Sequence, residues 1–145
     1  MLAYGHPPRA TIDVDGELRD HVRSLADFLS RHHIPSNLGQ SISCWSVVAM
    51  PPGYRDRATV LSDEPGVTIS LLAPVDFIIA KLRRGTDEDL TDAAWIAARF
   101  HIPANQVRAA ADVALAASLE DTALFLFQRT VDRFCVSLDS TDSPT

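Results

Sequence analysis

This sequence of 145 residues contains one lysine, two cysteines and six glycines. The cysteines, Cys44 and Cys135, form no metal-binding or redox spacing, so neither a zinc site nor a dithiol motif is encoded. The glycines build neither a G-x-G-x-x-G turn nor a P-loop, and no serine stands in a nucleophile elbow. His6, His21, His32, His33 and His101 make no metal-ligand spacing. No apolar run approaches the roughly 20 residues needed to cross a bilayer. The N-terminus has no basic segment leading into an apolar stretch, so no signal peptide is read there. The expectation is a cytoplasmic protein without membrane contact. Thirteen basic against nineteen acidic residues leave a net charge of −6. That balance argues against broad DNA or RNA binding, which needs clustered positive charge, but leaves room for a small basic pocket. Lys81 stands alone beside twelve arginines, a bias that genomic base composition can produce.

The sequence that remains has ordinary globular proportions, 46% apolar and 22% charged. It fits one domain over residues 1–138, with a sheet-forming half (1–73), a helical half (74–138) and a polar, frayed tail (139–145). Residues 9–15 alternate apolar and polar and predict a strand that Gly16 ends. Leu18, Val22, Leu25, Ala26 and Leu29 fall on one stripe and predict a helix over 17–32. Residues 43–49 fit a short strand or a helical turn, and Met50-Pro-Pro-Gly-Tyr54 is a breaker. Strands are predicted at 57–62 and 66–72. Helices are predicted at 74–84, opened by Pro74; at 87–100, capped by Thr86; from Pro103 to about 118; and at 121–138, where Leu124, Phe127, Val131, Phe134, Cys135 and Leu138 make the apolar stripe. Cys135 reads as plain core, and Trp45 and Trp95 as core or half-buried. The fold class is α/β (α+β): a small mixed sheet flanked by helices, with a helical C-terminal half.

Two groups of residues could carry chemistry. In Thr11-Ile-Asp-Val-Asp15, Asp13 and Asp15 project from one face of a strand, their Cα atoms about 6.6 Å apart. Two carboxylates so spaced can hold one divalent cation or flank two, and such ions stabilise charge on a transferring phosphoryl group. Arg9 and Thr11 extend that face. The plain alternative is the solvent side of a half-buried strand. In the second group, Lys81 and Arg84 share a helical face, and Asp89 and Asp92 are three apart on the next helix. Asp89 heads the stripe of Ala93, Ile96 and Phe100, where a carboxylate needs a partner. Lys81, Arg83 or Arg84 is the natural candidate. Asp87 and Glu88 read as acids suited to a helix N-terminus. Arg55 and Arg57 are expected to be solvated rather than bound to phosphate.

Taken in order, Gly5-His-Pro-Pro-Arg-Ala-Thr-Ile-Asp-Val-Asp15 and then Pro74, Lys81, Asp89 and Asp92 resemble the nucleotidyltransferase-like proteins related to the AbiEii group of type IV toxins, most closely their small uncharacterised relatives. The family pattern is an Arg-x-Ser/Thr-x-Asp-x-Asp strand, then a helix with a Lys and an Arg-Asp-x-x-Asp segment; Glu88 stands where that arginine often does. The resemblance covers about residues 3–100. It implies a Mg²⁺- (or Mn²⁺-) dependent transferase moving a nucleotide from an NTP to RNA or protein. Asp13 and Asp15 would be the catalytic, metal-holding pair. Arg9, Thr11 and Lys81 would bind nucleotide, with Asp89, Asp92 and Arg84 in support. It also implies the toxin role in a toxin–antitoxin or abortive-infection system, with a cognate antitoxin. Two family features have no counterpart here: a Gly-Gly or Gly-Ser turn before the first strand, and a third carboxylate on a later strand, where 67–72 offers Thr68 and Ser70. The alternative expectation is therefore a non-catalytic or N-terminally short module that binds a partner protein or a nucleotide.

Overall fold

A computed structural model describes residues 4–5, 14–18, 20–65 and 67–141, with the side chains of 14, 15, 22, 67 and 141 excepted. Its contacts divide the chain into two compact units, residues 1–45 and 46–145.

In the first unit, β1 (Val14–Glu17) and β2 (Ser36–Gly39) pair in parallel, with Asp15 opposite Asn37 and Glu17 opposite Gly39. A parallel pair needs a crossover between its strands, and α1 (Val22–Arg31) supplies it. β1 thus runs past Gly16, where a strand end was expected. Gly16 and Glu17 continue the ladder opposite Leu38 and Gly39, and the helix expected from residue 17 begins only at Val22. Before it, His21 takes a left-handed conformation at φ 59°. α1 turns Leu29 inward and ends at His32, whose backbone N–H reaches the carbonyls of Phe28 and Leu29. After β2, a 3₁₀ turn spans Ile42–Trp45. The Glu17 carboxylate accepts from the Ile42 N–H at 2.8 Å and so ties this turn to the end of β1. Trp45 is 41% exposed rather than core or half-buried. Its indole lies across Gly39, where any Cβ would stand 2.8 Å from Nε1, so the ring uses the bare strand backbone as its platform.

The second unit opens with the Pro-Pro-Gly turn. Gly53 is left-handed at φ 77°, and Met50 and Tyr54 are buried on either side. β3 (Thr59–Glu64) and β4 (Val67–Leu71) form an antiparallel hairpin with an irregularity between Val60 and Ser62. The α+β class expected from the sequence is present, the strands among the described residues forming two small separate sheets, one parallel and one antiparallel, rather than one mixed sheet.

Four helices follow: α2 (Pro74–Arg84), α3 (Asp87–Phe100), α4 (Ala104–Ala116) and α5 (Ala123–Thr141). Each buries one stripe. Ile78, Ile79 and Leu82 come from α2, Ala93, Ile96 and Ala97 from α3, Ala104, Val107, Ala111 and Ala114 from α4, and Phe127, Val131, Phe134 and Cys135 from α5. Burying each large side chain is worth about 2 kcal/mol. The small residues on α3 and α4 let α3 pack closely against α2 and α4 against α5. Ser118 accepts from the Ala49 N–H and donates to the Ala114 carbonyl, fastening the start of this unit to the end of α4. α5 continues through Asp139, which pairs with Arg108, to Thr141. The helical pattern therefore reaches into the tail expected to fray from 139. Burial raises the Cys135 thiol above its ordinary pKa, as befits a core position.

Candidate functional site

The densest charged cluster in the second unit lies where α2 turns into α3. α2 ends at Arg84. Gly85 adopts φ 67°, left-handed, and its N–H donates to the Lys81 carbonyl. Thr86 is already the cap of α3, its hydroxyl accepting from the Asp89 N–H at 3.2 Å. This two-residue link folds the last turn of α2 against the first turns of α3. Lys81, one turn before the end of α2, thereby meets Asp89 and Asp92. Its Nζ lies 3.0 Å from Asp89 Oδ1 and 2.8 Å from Asp92 Oδ2. Both aspartates are buried, and only 18% of the Lys81 side chain is exposed. The ammonium also sits 5.5 Å from the centroid of the Phe77 ring, one turn back on α2, within cation–π range.

The other oxygen of Asp89 accepts from the Thr86 hydroxyl at 2.7 Å and faces Arg84 Nε at 3.3 Å. Burial acts to raise the Asp89 pKa. The hydrogen bonds from Thr86 and Lys81 and the charges of Lys81 and Arg84 outweigh it, and the group is held below its ordinary value. Two anions and two cations thus balance in a small volume. The pairing read from the Asp89 position on its stripe is present, and Asp92 and Arg84 join it.

A third buried carboxylate escaped the sequence reading. Asp76, in the first turn of α2, is fully buried and takes a two-pronged bond from Arg57, with Nε to Oδ2 at 2.9 Å and Nη2 to Oδ1 at 2.8 Å. The Arg57 Nη1 also donates to the Pro52 carbonyl. Arg57 was expected to be solvated. It instead compensates Asp76, because an ionised group removed from water must be paired, and its own pKa is raised by the hydrogen bond to Asp76. The signal was available, since Asp76 stands three residues before the buried Ile79, as Asp89 stands four before Ala93. Arg55 is exposed and lies over the Tyr54 ring at 5.0 Å. Beside the Arg57–Asp76 pair is an open cavity of about 280 Å³ walled by Pro51, Val75 and Val113.

Arg9, Thr11 and Asp13 lie outside the described residues. Asp15 is placed by its backbone alone, in β1 beside Asn37. Among the described residues no group of three or more His, Cys, Asp or Glu side chains is arranged to hold a metal ion, and no helix is long and apolar enough to cross a membrane.

No curated protein and no solved structure matches this chain. A family model described as "Nucleotidyltransferase of unknown function (DUF6036)" matches residues 3–129. That span takes in Asp13 and Asp15, the Arg57–Asp76 pair and the whole Lys81 cluster, and the chain belongs to this nucleotidyltransferase family.

Proposed function

We propose that the chain binds a nucleoside triphosphate with Mg²⁺ or Mn²⁺ and transfers a nucleotide to RNA or protein, as the toxin-type member of an AbiEii-like toxin–antitoxin or abortive-infection pair. The observation that supports nucleotidyl transfer is the family match, which spans both residue groups, while the cation, the acceptor and the toxin role follow from the resemblance of those residues to the AbiEii group. Asp13 and Asp15 are the residues that would hold the cation. Alternate positions on a strand would bring two hard oxygen donors to one face, and Asp15 is a residue of β1. When bound, the ion would supply charge neutralisation for the phosphates and activation of an attacking oxygen. Arg9 and Thr11 would contact phosphate oxygens, Arg9 as a two-pronged donor. Lys81 would offer a phosphate its remaining exposed edge, while Asp89, Asp92 and Arg84 fix its position.

The Lys81 geometry also favours a second reading, a nucleotide- or partner-binding module without transfer. An ammonium that already serves two carboxylates has little left for a ligand. Calorimetry with each nucleoside triphosphate, with and without Mn²⁺, tests the first reading. Weak, cation-dependent binding is expected, with Kd near 1 mM or about −4 kcal/mol, together with its loss in Asp13→Asn/Asp15→Asn. Tight binding that ignores the cation would place the phosphate grip elsewhere. Absence of binding would leave the partner-binding module.

A further inference from the structure

We infer that α5 is a dimerisation helix that pairs antiparallel with α5 of a second copy of this chain. α5 is two-faced. One side is built into the core through Phe127, Val131 and Phe134. The opposite side carries Phe125, Arg129, Asp132 and Val136, spaced 4-3-4, which is the seam spacing of helices packed side by side. Phe125 is 62% exposed and Val136 59%, and Leu126, also 62% exposed, flanks them. Arg129 and Asp132 are exposed and make no salt bridge among the described residues; Arg129 lies over the Phe125 ring at 5.9 Å.

The order of these four residues identifies the occupant. A two-fold axis passing midway between positions 130 and 131 brings Phe125 against the partner's Val136 and Arg129 against the partner's Asp132. The same operation repeats both contacts in reverse. One seam therefore gives two apolar contacts at its ends and two opposite-charge contacts at its centre, the self-complementarity that an isologous interface requires. A parallel arrangement would set Arg129 on Arg129 and Asp132 on Asp132, which like-charge repulsion disfavours. The seam extends beyond residue 129, where the family match ends, so the inference is separate from the proposed transfer activity. A single helix pair buries less than the roughly 1,200 Å² of a standard interface, so the dimer should depend on concentration.

Sedimentation equilibrium of the full chain over a wide concentration range tests this. A reversible monomer–dimer equilibrium is expected. Arg129→Asp, which puts four carboxylates at the centre of the seam, should weaken it by about tenfold or more. Arg129→Asp combined with Asp132→Arg inverts the pair and should restore the dimer. Phe125→Glu should leave monomer. All these positions are exposed, so the helical circular dichroism of each variant, and its melting temperature at concentrations where wild type is monomeric, should stay close to wild-type values. A wild type that remains monomeric throughout, a dimer indifferent to Arg129→Asp, or a charge swap that fails to recover association would each overturn the inference.

Discussion

Lys81 carries its positive charge to a point where two buried carboxylates meet. Removing that charge leaves Asp89 and Asp92 facing each other in low dielectric, the costly way to break a buried ion pair. Lys81→Met should therefore lower the unfolding free energy by about 3 kcal/mol, measured as a drop in the urea midpoint. Adding Asp89→Asn and Asp92→Asn should recover part of the loss, because no uncompensated charge then remains. The same cluster sets an acid limit. The Asp89 pKa is lowered in the fold, so its contribution to stability is fully present above the unfolded-state value near 4. That contribution disappears as pH falls through the lower folded value. Urea titrations between about pH 6 and pH 3 should show wild type losing stability and Asp89→Asn losing less. Equal slopes would remove Asp89 from the acid response. The sequence showed Asp89 because its acid interrupts an apolar stripe only a few residues from candidate cations. It hid Arg57 and Asp76, which lie nineteen residues apart across a hairpin.

α2 to α4 were legible almost to the residue because each carries a 3.6-residue stripe and a start signal, Pro74, Thr86 or Pro103. α5, read from its stripe alone, starts and ends a little later than expected, its first turn held by the Asp121 carboxylate accepting from the Ala123 N–H. The region from Glu17 to Trp45 was not. β2 is four residues, Ser-Asn-Leu-Gly, too short and too polar for alternation to show, and its pairing depends on β1 rather than on its own composition. The start of α1 misled because Leu18 continues the helical stripe by spacing, while its N–H donates to Gly39 across the strand pair. The α2–α3 corner depends on one conformation. Gly85 sits at φ 67°, and an added Cβ would find only ordinary contacts, 3.5 Å from the Leu82 carbonyl and 3.6 Å from Thr130. The cost of a side chain there is thus conformational rather than steric, about 1 kcal/mol for alanine. Gly85→Ala should lower the melting temperature by about 3 °C. Gly85→Asn should lower it less, since asparagine tolerates the left-handed region. If alanine and asparagine ranked the other way, contact rather than backbone conformation would govern the corner.

At the scale of the whole chain, the nucleotidyltransferase class was legible before the fold was, because two short acidic and basic groups in a fixed order pointed to it and the family match covers both; the narrower AbiEii kinship belongs to the proposed function. The two groups differ in how they are supported. Asp13 and Asp15 belong to the unit of residues 1–45, and the Lys81 cluster to the unit of residues 46–145. The second unit contains four helices, the hairpin, both buried ion-pair systems and the Ala49–Ser118 tie within its own boundaries. A unit with its own core and satisfied buried charges has what independent folding requires. A fragment of residues 46–145 should therefore be soluble, helical by circular dichroism and cooperative in urea. It should also keep the sensitivity to Lys81→Met, since every partner of Lys81 travels with it. A fragment that is helical but melts without cooperativity would show that residues 1–45 complete its core. A cooperative fragment in which Lys81→Met has no effect would show that the cluster is not what fastens α2 to α3. The cooperative, Lys81-sensitive outcome assigns the ion pairs to the stability of this unit and leaves Asp13 and Asp15, in the other unit, as the residues on which the proposed nucleotide chemistry is to be tested.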